Sequence, residues 1–260
     1  MPFIANQANY QKGIALREEI LGPDHVRRAL AGEDDLIEYH HLFGHECAYA
    51  QIWSRKIFPP ALRSMCVVGM AAAVSPRSNT FKAHVLGAAR NGVTRRQMRQ
   101  VLATISFYLG AGAGTDCVEA AREALKEYPP LPASEDQNRE PVSAEVLKER
   151  GLRLRRAILG EEAATPSDTG GAASVYDSLK TNYYFGVLWH DPELDQKSRV
   201  LVVVSILLAA NRQRQLRIYL AAARRLGCTQ EELDEVFLTA AIYCGAPACE
   251  DAHFAAAGEA

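Results

Sequence analysis

No CxxC pair occurs in the 260 residues, although six cysteines are present: Cys47, Cys66, Cys117, Cys228, Cys244 and Cys249. Thiols scattered in this way build no disulfide framework and read as the reduced cysteines of a cytoplasmic protein. An excess of positive charge is also missing. Lys and Arg total 29 against 31 Asp and Glu, a net charge of −2, so there is no basic field to hold nucleic acid or an anionic membrane. Long apolar runs are absent as well. The longest, Val200 to Ala210 broken by Ser205, falls well short of the ~20 residues of a membrane span and is expected to be a buried helix. The opening MPFIANQANYQKG has neither a basic start nor an apolar run, so no secretory signal is expected there.

What is present is a duplication. Shifted by 135 positions, residues 84–121 lie on 219–256 without a gap, and 13 of the 38 pairs are identical. Ordinary composition would give roughly two or three. With a one-residue slip Arg63 falls on Arg199 and Trp53 on Trp189, and the string RxxILG recurs at 17–22 and 155–160. Units of this length are too long for solenoid repeats. A first unit over 1–128 and a second over 144–260 are expected, joined by the Pro-rich, non-periodic linker 129–143.

The period inside each unit is helical. MRQVLATISFYL and LDEVFLTAAIYC place large apolar residues three and four apart. Thr94 with Gln97, and Thr229 with Glu232, fit capping boxes, and Gly92 and Gly227 stand where the preceding helices should end. No convincing period-2 strand is found, so the fold is expected to be all-α. The units differ most after RxxILG. GPDHVRRALAGEDD in the first suits a short helix, whereas GEEAATPSDTGGAAS in the second suits an irregular loop, either a connector or a lid.

Few residues offer chemistry. His84 lies at the edge of an apolar helical stripe, and Arg63 opens the apolar helix before it. An imidazole with a fixed cation suits an acid–base step that develops negative charge; a His simply bonded to backbone is the plainer reading. The second unit has Tyr219, Arg199 and Trp189 at the matching places, and a phenol with pKa near 10 is a poor base at pH 7. In HHLFGHECAYAQIW, His41 and His45 are four apart, a metal-ligand spacing, though without the HExxH order. His45 or Glu46 could instead handle a proton. Cys249 stands four before His253, so a thiolate–imidazole pair is conceivable, but small cysteines in Ala-rich helices usually pack.

The strings HVLGAARNGVT and AIYCGAPA, with the opening YQKGIALREEILGPDHVRRAL, resemble the carboxymuconolactone decarboxylase family of the AhpD-like all-α superfamily. The likeness covers most of both units, as in a tandem double-repeat member. It implies a cofactor-free helical protein with pockets at repeat or subunit interfaces. The family's helix His falls on His84, its helix-start Arg on Arg63 and Arg199, and its Trp on Trp53 and Trp189. The acidic residue usual two before that Trp is Gln51 here, and Val187 in the second unit. The superfamily's peroxidases carry CxxCxxxH; the matching positions are Arg77 and Thr80, or Arg212 and Gln215, so that chemistry is not expected.

The expected function is therefore a lyase (decarboxylase) or isomerase on a small anionic cyclic carboxylate or lactone. His84 would be acid or base and Arg63 the clamp, with His45 and Glu46 substituting for the missing acid. Trp53, Gln51, Arg199, Tyr219 and Trp189 would line substrate pockets. A non-catalytic small-ligand-binding or structural member of the family and a His-dependent metalloenzyme are the alternatives. The resemblance also implies ring assembly: three chains should form a pseudo-hexamer, so light scattering should give a mass of about three chains, and a clean monomer would overturn that.

Overall fold

Two glycine corners set the register of both repeats. Gly92 (φ +88°) and Gly227 (φ +82°) adopt the left-handed conformation that ends the helix before each. Thr94 Oγ1 then accepts from Gln97 N at 3.2 Å, while Gln97 Oε1 accepts from Thr94 N at 3.0 Å. Thr229 and Glu232 make the same exchange at 3.1 and 2.8 Å. Two otherwise unpaired amides are satisfied at each helix start, and both expected capping boxes are formed.

The computed structural model describes residues 4–31, 34–126, 128, 140–165 and 170–258, and no strand occurs among them. Among these residues each repeat has eight helical segments in the same order. The first has α1 (Gln7–Leu21), α2 (Pro23–Ala31), α3 (Glu38–Leu42), π1 (Phe43–Trp53), α4 (Pro60–Val74), α5 (Asn79–Arg90), α6 (Arg95–Leu109) and α7 (Ala111–Ala124). The second has α8 (Ala144–Leu159), α9 (Glu161–Ala164), α10 (Gly171–Leu179), π2 (Lys180–Leu188), α11 (Gln196–Ala209), α12 (Gln213–Arg225), α13 (Gln230–Tyr243) and α14 (Ala246–Ala257). The fold is all-α, two tandem copies of one helical unit. One expectation needs correcting: 160–174 is not irregular throughout, because α9 and the start of α10 are helical within it. Residues 166–169, and 129–139 of the expected linker, lie outside the described residues.

π1 and π2 are wound one residue wider than an α-helix, as Ser54 N to Tyr49 O (3.1 Å) and Trp189 N to Tyr184 O (2.8 Å) show. Wide turns of this kind concentrate at functional sites. Each lies backbone to backbone on the repeat's first helix. A Cβ on Gly13 would stand 1.9 Å from His45 O, and one on Gly151 2.0 Å from Thr181 O. That approach, open only to glycine, brings residue 45 up to α1 and residue 181 up to α8.

The centre is the packed pair α4 and α11. Val200–Leu208 of α11 is buried on every side, as its unbroken apolar run requires, and Gly69 of α4 lets Ile206 in. One continuous apolar cluster draws side chains from both repeats, so the two units share a core. No helix among the described residues is long and apolar enough to cross a membrane.

Polar side chains are exchanged across this seam. Arg63 of α4 is fully buried and donates to Glu235 Oε1 of α13 at 2.7 Å and to Thr239 Oγ1 at 3.1 Å. Arg55 takes the other oxygen of Glu235 at 2.8 Å. Reciprocally, Arg199 of α11 donates to Gln100 of α6 at 2.9 Å and to the carbonyls of Asp191 and Leu194. Burial lowers Arg199 to about 10, which still leaves it charged at neutral pH. Glu235→Ala leaves Arg63 buried and uncompensated, and should cost about 3–5 kcal/mol in urea unfolding. Glu235→Gln copies the Arg199–Gln100 solution and should cost less, about 1–2 kcal/mol.

Candidate active site

Two equivalent constellations straddle the seam, each completed by the other repeat. In the first, Trp53 at the end of π1 stacks on His84 of α5, centroids 6.4 Å apart and planes within 8°. Tyr243, from the last turn of α13, meets His84 edge-on at 4.9 Å and accepts from Trp53 Nε1 at 2.9 Å. In the second, Trp189 stacks on Tyr219 at 6.1 Å. Tyr108 of α6 meets Tyr219 edge-on at 5.5 Å and accepts from Trp189 Nε1 at 2.9 Å.

The two differ in what happens to their protons. The hydroxyls of Tyr108 and Tyr219 stand 2.6 Å apart, so one of these phenols donates to the other and one proton of the pair is left over. Tyr243 accepts from Trp53, and its own proton has no acceptor among the described residues. Burial holds that phenol well above its ordinary value of 10, so the proton stays available as a donor. His84 is buried, and neither ring nitrogen has a hydrogen-bond partner among the described residues. Burial, with smaller contributions from His25 and Arg17, pushes it down to about 3, so the ring is neutral at pH 7.

A cavity of about 710 Å³ opens beside the first constellation, with Arg17, Tyr49, His84 and Tyr243 in its wall and His40 and His41 further round. No Asp or Glu among the described residues lines it. Arg17 comes from α1; its Nη1 lies 3.0 Å from His45 Nε2 and its guanidinium 6.0 Å over the Tyr49 ring. No ion pair engages Arg17 among the described residues. Burial raises Tyr49 to about 12, against the opposing pull of Arg17. A wall with an unneutralised guanidinium, a neutral imidazole and two protonated phenols attracts anions and can donate to oxygen.

The equivalent of Arg17 in the second repeat is closed off. Arg155 is ion-paired with Asp177 at 2.8 Å and bonded to Thr181 Oγ1 at 2.8 Å. Asp177 and Thr181 stand at the places of His41 and His45, 136 residues on. Among the described residues only the first repeat keeps this cation without an ion-pair partner.

The sequence-derived residues divide accordingly. His84 lines the cavity. Trp53 stands behind it, holding His84 and Tyr243 in place. Arg63 is not in the cavity wall, because Glu235 holds it in the seam. His45 is fully buried behind Arg17. Glu46 spends both oxygens on the amides of Ala5 and Asn6, each at 2.8 Å, which fixes the start of α1. Gln51 is exposed and away from the cavity. Trp189 and Tyr219 come together in the second constellation, apart from this cavity, and Arg199 is held in the seam by Gln100. The rings of His41 and His45 lie 5.4 Å apart, and no group of three or more potential metal ligands gathers among the described residues. Burial raises the Cys249 thiol, and His253 packs edge-on against Phe237 instead. Sequence reasoning missed Arg17 and Tyr243. The signals were there, in the recurring RxxILG and the Tyr108/Tyr243 identity, but nothing in the sequence placed them beside His84.

Residues 45–123 and 177–258 each match the sequence model of the carboxymuconolactone decarboxylase family. The chain belongs to that family. A 4-carboxymuconolactone decarboxylase of Acinetobacter baylyi is 27% identical over 122 residues, 47% of this chain and 90% of the relative. A nitrosuccinic acid decarboxylase of Metarhizium robertsii is 31% identical over 113 residues, 41% of this chain and 76% of the relative. Each match spans about one repeat, so this family member carries the carboxymuconolactone decarboxylase unit twice.

The depressed histidines set a pH dependence. Between pH 6.5 and about 3 for His84, and about 4 for His45, the unfolded chain binds protons that the folded chain refuses. Their contribution to stability is complete above 6.5 and declines as pH falls through that window. Urea unfolding at stepped pH should show the decline, and His84→Phe should make it shallower.

Proposed function

We propose that the chain is a decarboxylase of a small anionic substrate, acting in the cavity between α1, α5, π1 and the end of α13. The carrying observation is that cavity's wall, with a guanidinium that has no carboxylate partner, a neutral buried imidazole and a phenol with a proton to give, and no carboxylate among the described residues to repel an acid. The names of the two relatives agree with a carboxylic acid as substrate. A lactone or other carbonyl conjugated to the departing carboxylate would supply the electron sink, so the proposed reaction needs no organic cofactor.

Arg17 receives a carboxylate or the carbonyl that accepts the electrons, the part expected of Arg63. As the C–CO₂ bond breaks, the electron pair passes into the carbonyl system and Tyr243 donates to the developing enolate oxygen. An anion seated beside His84 offsets the desolvation that keeps it neutral, so binding favours uptake of one proton from solvent. His84 returns that proton to carbon, replacing the bond to CO₂, and is neutral again. One proton is consumed and one CO₂ released per turnover.

The test is CO₂ release from 4-carboxymuconolactone, nitrosuccinate and related acids. For a substrate that turns over, Arg17→Ala, His84→Ala and Tyr243→Phe should each lower kcat/KM by roughly 10²–10⁴. Tyr219→Phe should stay within a few-fold of wild type. Wild-type turnover in all three cavity variants would sink the assignment, and tight binding without CO₂ release would favour a ligand-binding protein.

A further inference from the structure

We infer that His45 is a positioning residue, which pins Arg17 against the cavity wall as a neutral acceptor so that the guanidinium is fixed without being neutralised. The inference rests on the proposed site but concerns how that site is kept charged. A guanidinium has only N–H donors. At 3.0 Å from Arg17 Nη1, His45 Nε2 must therefore be the acceptor, and the proton of the neutral ring must sit on Nδ1. Nδ1 is buried with no partner, although the ring is wholly enclosed. An orphaned donor in the core is unfavourable, so packing alone does not explain a histidine here.

The second repeat shows the arrangement without this feature. Arg155 is held by Thr181, the counterpart of His45, and neutralised by Asp177, the counterpart of His41. The same scaffold thus tolerates a small hydroxyl and a carboxylate at these two places. In the first repeat both places carry imidazole, and Arg17 is held yet unpaired. π1 makes the placement possible, because Gly13 lets α1 touch the backbone at His45. His45 is outside the cavity wall, so it acts through Arg17 and not on a substrate.

Two measurements test this on the full chain. The first needs no ligand: long-range ¹⁵N–¹H correlation spectra at neutral pH should show His45 as the Nδ1–H tautomer, and an Nε2–H ring would overturn the inference outright. The second is calorimetric binding of succinate, an inert dianion, to wild type, His45→Gln, His45→Leu and His41→Asp. Gln keeps an acceptor for Arg17 and should bind within about threefold of wild type. Leu fills the volume without an acceptor, and His41→Asp restores the second repeat's neutraliser; each should weaken binding about tenfold or more. Equal affinity in the Gln and Leu variants, or an unweakened His41→Asp, would overturn the positioning role while leaving the site standing. Failure of the wild type to bind succinate would remove the anion site and this inference together.

Discussion

Everything in this molecule depends on a buried exchange across one seam. Arg63 reaches from the first repeat to Glu235 of the second, and Arg199 reaches back to Gln100. A guanidinium buried this completely needs most of its donors met, and in each case a side-chain acceptor comes from the other repeat. The halves are therefore obliged to fold as one body. The same crossing carries the aromatics: Tyr243 completes the first constellation and Tyr108 the second. Structure and site are consequences of one pseudo-symmetric handshake.

Within that symmetry a few exchanged side chains decide which half has chemistry to offer. Tyr219 in place of His84 bonds to Tyr108, and Asp177 in place of His41 cancels Arg155. Each change pairs a polar group internally, which suits a core and leaves less for a ligand. The first repeat does the opposite. His84, Tyr243 and Arg17 all keep capacity facing one cavity, and such unsatisfied capacity is what a binding site requires. Duplication allows this division, because a satisfied half can steady an unsatisfied one.

Much of the fold was legible from the chain. Gly92 with Thr94, and Gly227 with Thr229, are local devices whose geometry follows from nearest neighbours, and they formed as read. The buried character of α11 followed from its unbroken apolar run. The candidate site was legible only in part. His84 and Trp53 could be picked out, but Arg63 looked like a clamp because a lone Arg before an apolar helix gives no hint of a carboxylate 172 residues away. Glu46 looked like an acid for a similar reason, since its partners are backbone amides of Ala5 and Asn6.

The sequence by itself determined the duplication, the helical register, the capped corners and the exchange of His84 for Tyr219. These rest on composition and on spacings of a few residues, where steric and hydrogen-bonding rules act locally. Tertiary structure alone decided which charges are spent and which remain. Arg63 was consumed by Glu235 and Arg155 by Asp177, while Arg17 was left facing a cavity with the neutral His45 to hold it. Charge availability is set by what lies within a few ångströms in space, and that distance is unrelated to separation along the chain.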